Sequence, residues 1–390
     1  MRTFRSILPF CILIVVSLAC QTLQPIIATP TPIPPTPTST AIPATPTPIL
    51  SPTPEPQTAE FPSRIAYSHF AEDGIFINTV DADGENDVRL TGDDCIGALP
   101  VWSMDGSLIA YYCYDPDLDK SNLWVMNQDG SDARFVVELP DLALIKWSPD
   151  SQHLVYHAPQ PNGTENDIYV LDIASGGIVN LTEDSMVWEA FPDWSPNGDL
   201  IVFVSDRAEE GGKALDDVWT MKPDGSDLVN LTNNGEDWED YHPAWSPDGK
   251  SIAFFRTASL FGENAEGGPA GLWVMDVDGK NQRLVTAIEG YRASGAPVWS
   301  PDGQYLAYPF DVDGVEEVWV VPSAGGEPVN ISDLPGEKSH ISWSPDSKAL
   351  IFTNDYNVDN TLLIYLALPD GSDTHLLLPY EQYGFGDWAP

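Results

Sequence analysis

The strongest constraint on the fold is a short motif, Trp-Ser-x-Asp-Gly, that recurs along the chain at nearly even spacing. Its tryptophans follow one another at intervals of 45, 47, 51, 54, 44 and 45 residues. Intervals of about 40–50 residues are typical of one four-stranded propeller blade. With single substitutions, and a shortened last copy, the motif begins at Trp102, Trp147, Trp194, Trp245, Trp299, Trp343 and Trp388. We therefore read most of the chain as one repeated supersecondary unit.

Each copy of the motif encodes a tight turn between two strands. In Ser-Pro-Asp-Gly the proline fixes φ at the second position, and the glycine accepts the left-handed conformation. Ser151 and Ser347 replace that glycine, which would strain their turns by about 1–2 kcal/mol if the conformation is kept. Apolar runs such as residues 108–111 and 200–203 follow the turns. Runs of this kind indicate strands that are covered on both faces.

The two ends of the repeat region are out of phase. The glycine turn between the third and fourth strands occurs seven times, but the first repeat lacks its tryptophan strand, and Thr58 stands at that phase. The strand around Trp388 can complete this first blade, which would join the two chain ends in one sheet. We predict an all-β, seven-bladed propeller of four-stranded antiparallel blades over residues 63–390. A six-bladed ring with loose ends is the alternative.

The repeat resembles that of the TolB-type, WD-repeat-like propellers, which read Pro-x-Trp-Ser-Pro-Asp-Gly before an Ile-Ala-Phe-like strand. The resemblance covers about residues 63–390. It implies a propeller fold, and the family includes periplasmic scaffolds and the gating propellers of serine peptidases. Fold alone does not fix the function.

The amino terminus is typical of an export signal. Arg2 and Arg5 precede an almost wholly apolar stretch over residues 7–19, which is short for a membrane-spanning helix. Residues 17–20, Ser-Leu-Ala-Cys, resemble a bacterial lipobox. We predict a signal peptide over 1–19 and a lipidated Cys20 that anchors the protein to the cell membrane on its extracytoplasmic face. An uncleaved anchor and ordinary secretion are the alternatives.

Residues 20–62 are dominated by threonine and proline. Proline fixes φ and removes backbone donors, so such a segment favours extended conformations and builds no core. We predict a disordered stalk that separates the propeller from the membrane.

Charge and cysteine content narrow the range of partners. The chain carries 59 Asp and Glu against 17 Lys and Arg, a formal net charge of −42. Nucleic-acid binding and docking on anionic lipid both need clustered positive charge, so neither is expected. The four cysteines are too few for a disulfide-stapled scaffold. Cys95 and Cys113 approach each other across the first tryptophan hairpin, and we predict a disulfide between them.

A candidate binding site lies in the loops that join one blade to the next. These loops are aromatic and acidic, a combination that suits a sugar, a peptide or a cation. The alternative is that the tryptophans pack against a neighbouring blade. The predicted ligand-binding residues are Trp188, Glu189, Trp238, Glu239, Asp240, Tyr241, His242, Tyr291 and Arg292.

A weaker candidate is a calcium site at Asp115, Asp117 and Asp119, because alternating carboxylates can direct several oxygens at one hard cation. An acidic turn without metal is the alternative, and no other cofactor is expected. Counting along the strands also places four histidines near the ligand-side loops: His69, His157, His242 and His340. They belong to different blades, so we do not expect them to converge on one site.

The prediction from sequence is a monomeric, lipid-anchored propeller that binds a cell-envelope protein or a small ligand at its channel mouth without catalysis. No Gly-x-Ser-x-Gly elbow occurs in the chain. The alternatives are an enzyme acting on carbohydrate or peptide at the mouth, and a propeller subunit that gates a separate hydrolase.

Overall fold

The computed structural model describes residues 64–71, 74–93, 96–115, 120–139, 144–160, 165–183, 186–207, 215–233, 238–258, 269–288, 295–312, 314–356, 362–378 and 382–390. The predicted signal peptide, Cys20 and the stalk lie outside these residues. Within the described ranges, no helix is both long and apolar enough to cross a membrane.

The described residues form seven four-stranded antiparallel sheets and no helices. The first sheet combines β1 (Arg64–Ala71), β2 (Gly74–Asp81) and β3 (Val88–Arg89) with the last strand, β28 (Gln382–Trp388). We call it blade 1 and number the others along the chain.

The other six blades each consist of four consecutive strands. Blade 2 contains β4 (Ile96–Trp102), β5 (Leu108–Asp115), β6 (Lys120–Asn127) and β7 (Arg134–Leu139). Blade 3 contains β8 (Lys146–Trp147), β9 (His153–Pro159), β10 (Asn166–Asp172) and β11 (Ile178–Asn180). Blade 4 contains β12 (Glu189–Trp194), β13 (Ile201–Ser205), β14 (Asp217–Met221) and β15 (Val229–Asn230).

The last three blades follow the same order. Blade 5 contains β16 (Trp238–Trp245), β17 (Ser251–Ala258), β18 (Gly271–Asp276) and β19 (Arg283–Ala287). Blade 6 contains β20 (Val298–Trp299), β21 (Tyr305–Val312), β22 (Val315–Pro322) and β23 (Val329–Asn330). Blade 7 contains β24 (Glu337–Trp343), β25 (Leu350–Asp355), β26 (Leu362–Ala367) and β27 (Thr374–Leu376).

The predicted closure of the ring is confirmed. Strand β28 pairs antiparallel with β1, and Trp388 stands opposite Ile65. The carboxyl-terminal strand thus takes the inner position that the first repeat lacks. The seven sheets confirm the seven-bladed ring and exclude the six-bladed alternative.

The core lies between blades, because each sheet is covered on both faces. Val155 and Ile168 of blade 3 pack against Phe203 of blade 4 in one buried apolar cluster, and equivalent clusters recur around the ring. The blade tryptophans join this packing, and three of them donate an indole hydrogen bond to a carbonyl of the preceding blade. The apolar runs read from the sequence are therefore the two-sided interior of the ring.

The serine-for-glycine turns keep the left-handed conformation. Ser151 has φ 57° and Ser347 has φ 62°, so the condition under which strain was expected is met. Each serine also contacts the preceding blade: Ser151 Oγ accepts a hydrogen bond from the Asp105 amide, at 3.1 Å. Ser347 Oγ accepts one from the Asp302 amide, at 3.0 Å. Each inter-blade bond offsets part of the backbone strain.

A repeated irregularity marks the innermost strands. In several blades the pairing of the first two strands shifts register three residues before the blade tryptophan, as in β12 and β16. The residue at this bulge has φ between 50° and 58° in five blades, and these residues are Leu99, Phe191, His242, His340 and Phe385. Bulges re-aim side chains next to binding sites and rims, and this one positions the inner ring of the channel.

Candidate functional site

The candidate site lies at the end of the ring where the chain passes from the fourth strand of one blade to the first strand of the next. We call this end the mouth. Propeller ligands are expected at such concave surfaces formed by loops and strand ends. The described residues that carry most of the predicted site belong to blades 3, 4 and 5.

An aromatic cluster lines the mouth beside blade 4. Trp188 is half-buried, and its ring meets the ring of Phe191 edge-on at 5.9 Å between centroids. Phe191 also contacts the His242 ring at 4.0 Å and the His157 ring at 5.3 Å. The Trp188 amide donates to Asp206 Oδ1 at 2.8 Å, which fixes the backbone where β12 begins. Trp188 is therefore anchored by its backbone and retains a partly exposed ring.

Residues 238–242 do not lie in a loop, which corrects the sequence interpretation. They are the first residues of β16, where Trp238 pairs with Ala258, so the strand extends past the bulge to the mouth. Trp238 is 5% exposed and Asp240 is fully buried. The acidic residues of this segment suggested a solvent-exposed loop, but in the structure Asp240 is buried because it is paired with an arginine. The burial of Trp238 agrees with the packing alternative for that side chain.

Asp240 forms a closed ion pair inside blade 5. Arg256 donates from Nε to Asp240 Oδ1 at 2.8 Å and from a terminal nitrogen to Oδ2 at 2.9 Å. The guanidinium also bonds Gln282 and lies over the Trp273 ring at 4.9 Å. Sequence reasoning missed Arg256, although a lone arginine after the apolar residues 252–255 was a usable signal.

Glu189 occupies the corresponding place in blade 4. Its side chain is fully buried, and its Oε1 accepts a hydrogen bond from Arg207 at 2.7 Å. Burial raises the pKa of Glu189 to about 7, against the lowering effects of Thr182 and Arg207. A carboxyl that titrates near neutral pH at a cleft is a marker of functional sites. Sequence reasoning also missed Arg207, which lies just beyond the end of β13.

Tyr241 and Glu239 form a third polar group at the mouth. The Tyr241 hydroxyl donates to Glu239, and burial together with nearby Asp216 raises the pKa of Tyr241. The Asp240 amide donates to the Asp216 carbonyl at 2.7 Å, so blades 4 and 5 are joined here. Tyr291 and Arg292, the remaining predicted binding residues, lie outside the described residues.

The four histidines lie on strands rather than on loops, and the structure brings two of them together. His157 and His242 flank Phe191, and the Phe191 amide hydrogen-bonds the His157 ring. Burial lowers the pKa of His157 to about 4 and that of His242 to about 3. His340 packs on Phe385, and His69 packs on Tyr383. The described part of the chain contains no group of three or more metal-ligating side chains.

The weaker sequence candidates fall largely outside the described residues. Asp115 ends β5, whereas Asp117 and Asp119 are not described, so the calcium site stays a prediction. Cys113 is buried in β5 and is disulfide-bonded. Cys95 lies outside the described residues, and its pairing with Cys113 stays a prediction.

A second set of charged residues lines the channel nearer the tryptophan turns. Asp193 accepts from the Trp245 amide at 3.0 Å, and Asp387 accepts from the Trp102 amide at 2.8 Å. Burial raises the pKa of both carboxyls, and the positive charge of Lys146 offsets only part of this rise. Each aspartate therefore connects its inner strand to that of the next blade, which is a structural role that the sequence did not reveal.

The ring, its repeated tryptophan turns and its loop-bearing mouth define a seven-bladed propeller with a surface suited to binding. The model of the TolB beta propeller domain matches residues 56–264 and 242–375. The chain therefore belongs to the TolB β-propeller family.

Similar proteins support the family and the fold. An uncharacterized protein of Agrobacterium fabrum is 28% identical over 207 residues, covering 53% of this chain and 67% of that protein. The Tol-Pal system protein TolB of Zymomonas mobilis is 41% identical over 85 residues, which cover 22% of this chain and only 16% of TolB. A solved oligogalacturonate lyase in complex with manganese has a TM-score of 0.60 and 16% identity, covering 78% of this chain and 86% of that one. At this identity the last match shows the fold alone.

Proposed function

We propose that this chain is a lipid-anchored propeller on the extracytoplasmic side of the membrane, where its mouth binds a cell-envelope protein or a small ligand without catalysis. The observation that supports this most directly is the aromatic and acidic mouth of blades 3 to 5. There the partly exposed Trp188 ring contacts Phe191, and the next residue, Glu189, carries a buried carboxyl. Such amphipathic rings next to polar groups are enriched where proteins bind partners.

The location rests on the amino-terminal sequence. Arg2 and Arg5, the apolar stretch over residues 7–19 and Cys20 follow the order of a lipoprotein signal. Metabolic labelling with a fatty-acid analogue tests the anchor directly. The wild type should be labelled and Cys20→Ala should not, whereas equal labelling of both would rule out lipidation at this cysteine.

Partner binding is tested by photo-crosslinking in intact cells, followed by purification of the full-length protein. Trp188→Ala should abolish a crosslinked envelope protein that the wild type captures. The matched control is Phe135→Ala, because Phe135 is an exposed ring on the outer strand β7, away from the mouth. If both variants lose the partner equally, or neither does, the mouth is not the binding surface.

An enzyme acting on carbohydrate or peptide at the mouth is the alternative. It is favoured by the carboxyl of Glu189, because a pKa of about 7 suits a general acid or base at neutral pH. Turnover of a pectic oligosaccharide or a peptide that is lost in both Glu189→Gln and His242→Ala would support it. A propeller that gates a separate hydrolase would instead change that hydrolase's substrate range when added to it.

A further inference from the structure

Three ion pairs at the mouth each involve a residue at the same position of an innermost strand. Each involves the residue five positions before a blade tryptophan, namely Glu189, Asp240 or Lys338. All three side chains are buried, and their partners are Arg207, Arg256 and Glu317 respectively. The partners differ in position: Arg256 stands directly opposite Asp240, Arg207 lies two residues beyond the partner of Glu189, and Glu317 belongs to the blade before that of Lys338.

Two of the pairs are closed. Arg256 binds both carboxylate oxygens of Asp240, adds a bond to Gln282 and is 4% exposed. Lys338 is fully buried and donates to Glu317 and to the carbonyls of Leu334 and Gly336. Bidentate or multiply bonded buried pairs are costly to separate, since each partner would be left as an unpaired charge.

The third pair is open by comparison. Arg207 reaches Glu189 through one terminal nitrogen, and 26% of the arginine side chain is exposed. Its buried Nε and the second carboxylate oxygen of Glu189 make no hydrogen bond with good geometry to any described residue. Of the three ion pairs, the one joined by a single nitrogen–oxygen contact and containing a partly exposed arginine is the pair whose cation an incoming group can replace.

The charge around this pair selects the incoming group. In the described parts of blades 3 to 5, the carboxylates at this end outnumber the guanidiniums of Arg207 and Arg256. The carboxylates are Asp167, Glu189, Asp206, Asp216, Asp217, Glu239 and Asp240. An anionic ligand would be repelled here, whereas a cation would be attracted. Trp188, which precedes Glu189 in the chain, keeps a partly exposed ring of the type that attracts cations to its face.

We propose that the Glu189–Arg207 pair is an exchangeable ion pair at which a lysine side chain from an extended basic segment of a partner protein replaces Arg207. The displaced guanidinium remains next to Asp206 in the chain and can pair with it at the surface. This inference rests on the proposed function, because it names the chemistry of the partner at the same mouth.

Exchange makes binding depend on pH. Glu189 must be ionised to hold the incoming ammonium, and burial places its pKa at about 7, with Asp167 and Arg207 the charged groups that affect it. A carboxyl of this pKa is mostly protonated at pH 6 and mostly ionised at pH 8. Affinity should therefore rise about tenfold between pH 6 and pH 8.

The test measures binding of a fluorescein-labelled tetralysine peptide to the full-length protein by fluorescence anisotropy, at pH 6 and pH 8 and at physiological salt. The same peptide with acetylated lysines reports contacts that do not need charge. Glu189→Gln should weaken tetralysine binding at pH 8 at least tenfold and remove its pH dependence. Arg207→Ala is compared with the wild type at pH 9, because losing Arg207 raises the pKa of Glu189 and a higher pH is needed to ionise it. There it should strengthen binding several-fold, because the competing cation is gone.

The control is Asp224→Asn, which removes one negative charge from an exposed turn of the same blade at the opposite end of the ring. It should change the affinity for tetralysine less than twofold. If Asp224→Asn and Glu189→Gln weaken binding equally, the effect comes from the overall charge of the protein and not from the Glu189 site. Weaker binding by Arg207→Ala would also overturn the exchange. Melting curves check that both mouth variants fold. Glu189→Gln is expected to fold because glutamine has the shape of the protonated glutamate. If Trp188→Ala abolishes partner capture while tetralysine binding is insensitive to Glu189, the proposed function stands and this inference fails.

Discussion

The closed pair between Asp240 and Arg256 gives a prediction whose size follows from the structure. Replacing Asp240 by asparagine keeps the shape of the side chain but leaves the Arg256 guanidinium buried without its counter-charge. Both nitrogen–oxygen contacts of the pair are under 3 Å, and the two side chains are 0% and 5% exposed. Breaking a buried pair of this kind costs about 3–5 kcal/mol of unfolding free energy.

That cost translates into a measurable shift in melting temperature. An unfolding entropy of about 2 cal/mol/K per residue, over a propeller of this length, gives roughly 1.5 °C for each kcal/mol. Asp240→Asn should therefore lower the melting temperature by about 5–7 °C. The double variant Asp240→Asn with Arg256→Met removes both charges and keeps a long apolar side chain at position 256. It should recover more than half of the loss.

Differential scanning calorimetry of the four proteins in this cycle is the assay. The exposed pair of Lys222 and Asp227 provides the control, because both of its side chains are more than half exposed. Asp227→Asn should leave the melting temperature unchanged within error. If the double variant is as unstable as Asp240→Asn alone, the two charges are not coupled, and the reasoning about burial at the mouth is wrong.

Three further outcomes are expected. Ser151→Gly should change the free energy of unfolding by less than about 1 kcal/mol, because the relief of left-handed strain offsets the lost hydrogen bond from the Asp105 amide. A larger loss of stability in chemical denaturation would show that the inter-blade hydrogen bond dominates. Millimolar calcium should raise the melting temperature of the wild type and not of Asp117→Asn, and an unchanged wild type would exclude the predicted calcium site. A thiol assay on the denatured, non-reduced protein should find Cys95 and Cys113 unreactive, whereas labelling of Cys95 in peptide maps would show another partner for Cys113.

The ring architecture could be predicted from local sequence signals. The tryptophan turns set the blade length, and the missing first strand around Thr58 required Trp388 to supply it, as the pairing with Ile65 confirms. These signals survive in the sequence because each turn and strand depends mainly on residues within one repeat. Strand boundaries at the mouth were harder to predict, since the bulge before Trp245 lets β16 continue through a segment whose charges suggested a loop.

For the candidate site, too, some features follow from local sequence and others only from the tertiary structure. The sequence by itself determined which residues reach the mouth, because a fixed repeat places Glu189 and Asp240 at the same phase of blades 4 and 5. Only the tertiary structure decided their state: Asp240 is neutralised by an arginine from its own blade, while Glu189 is left with one exposed partner and a pKa raised to about 7. The physical reason is that ion pairing depends on which side chains meet across paired strands, and burial depends on how neighbouring blades cover them once the ring closes.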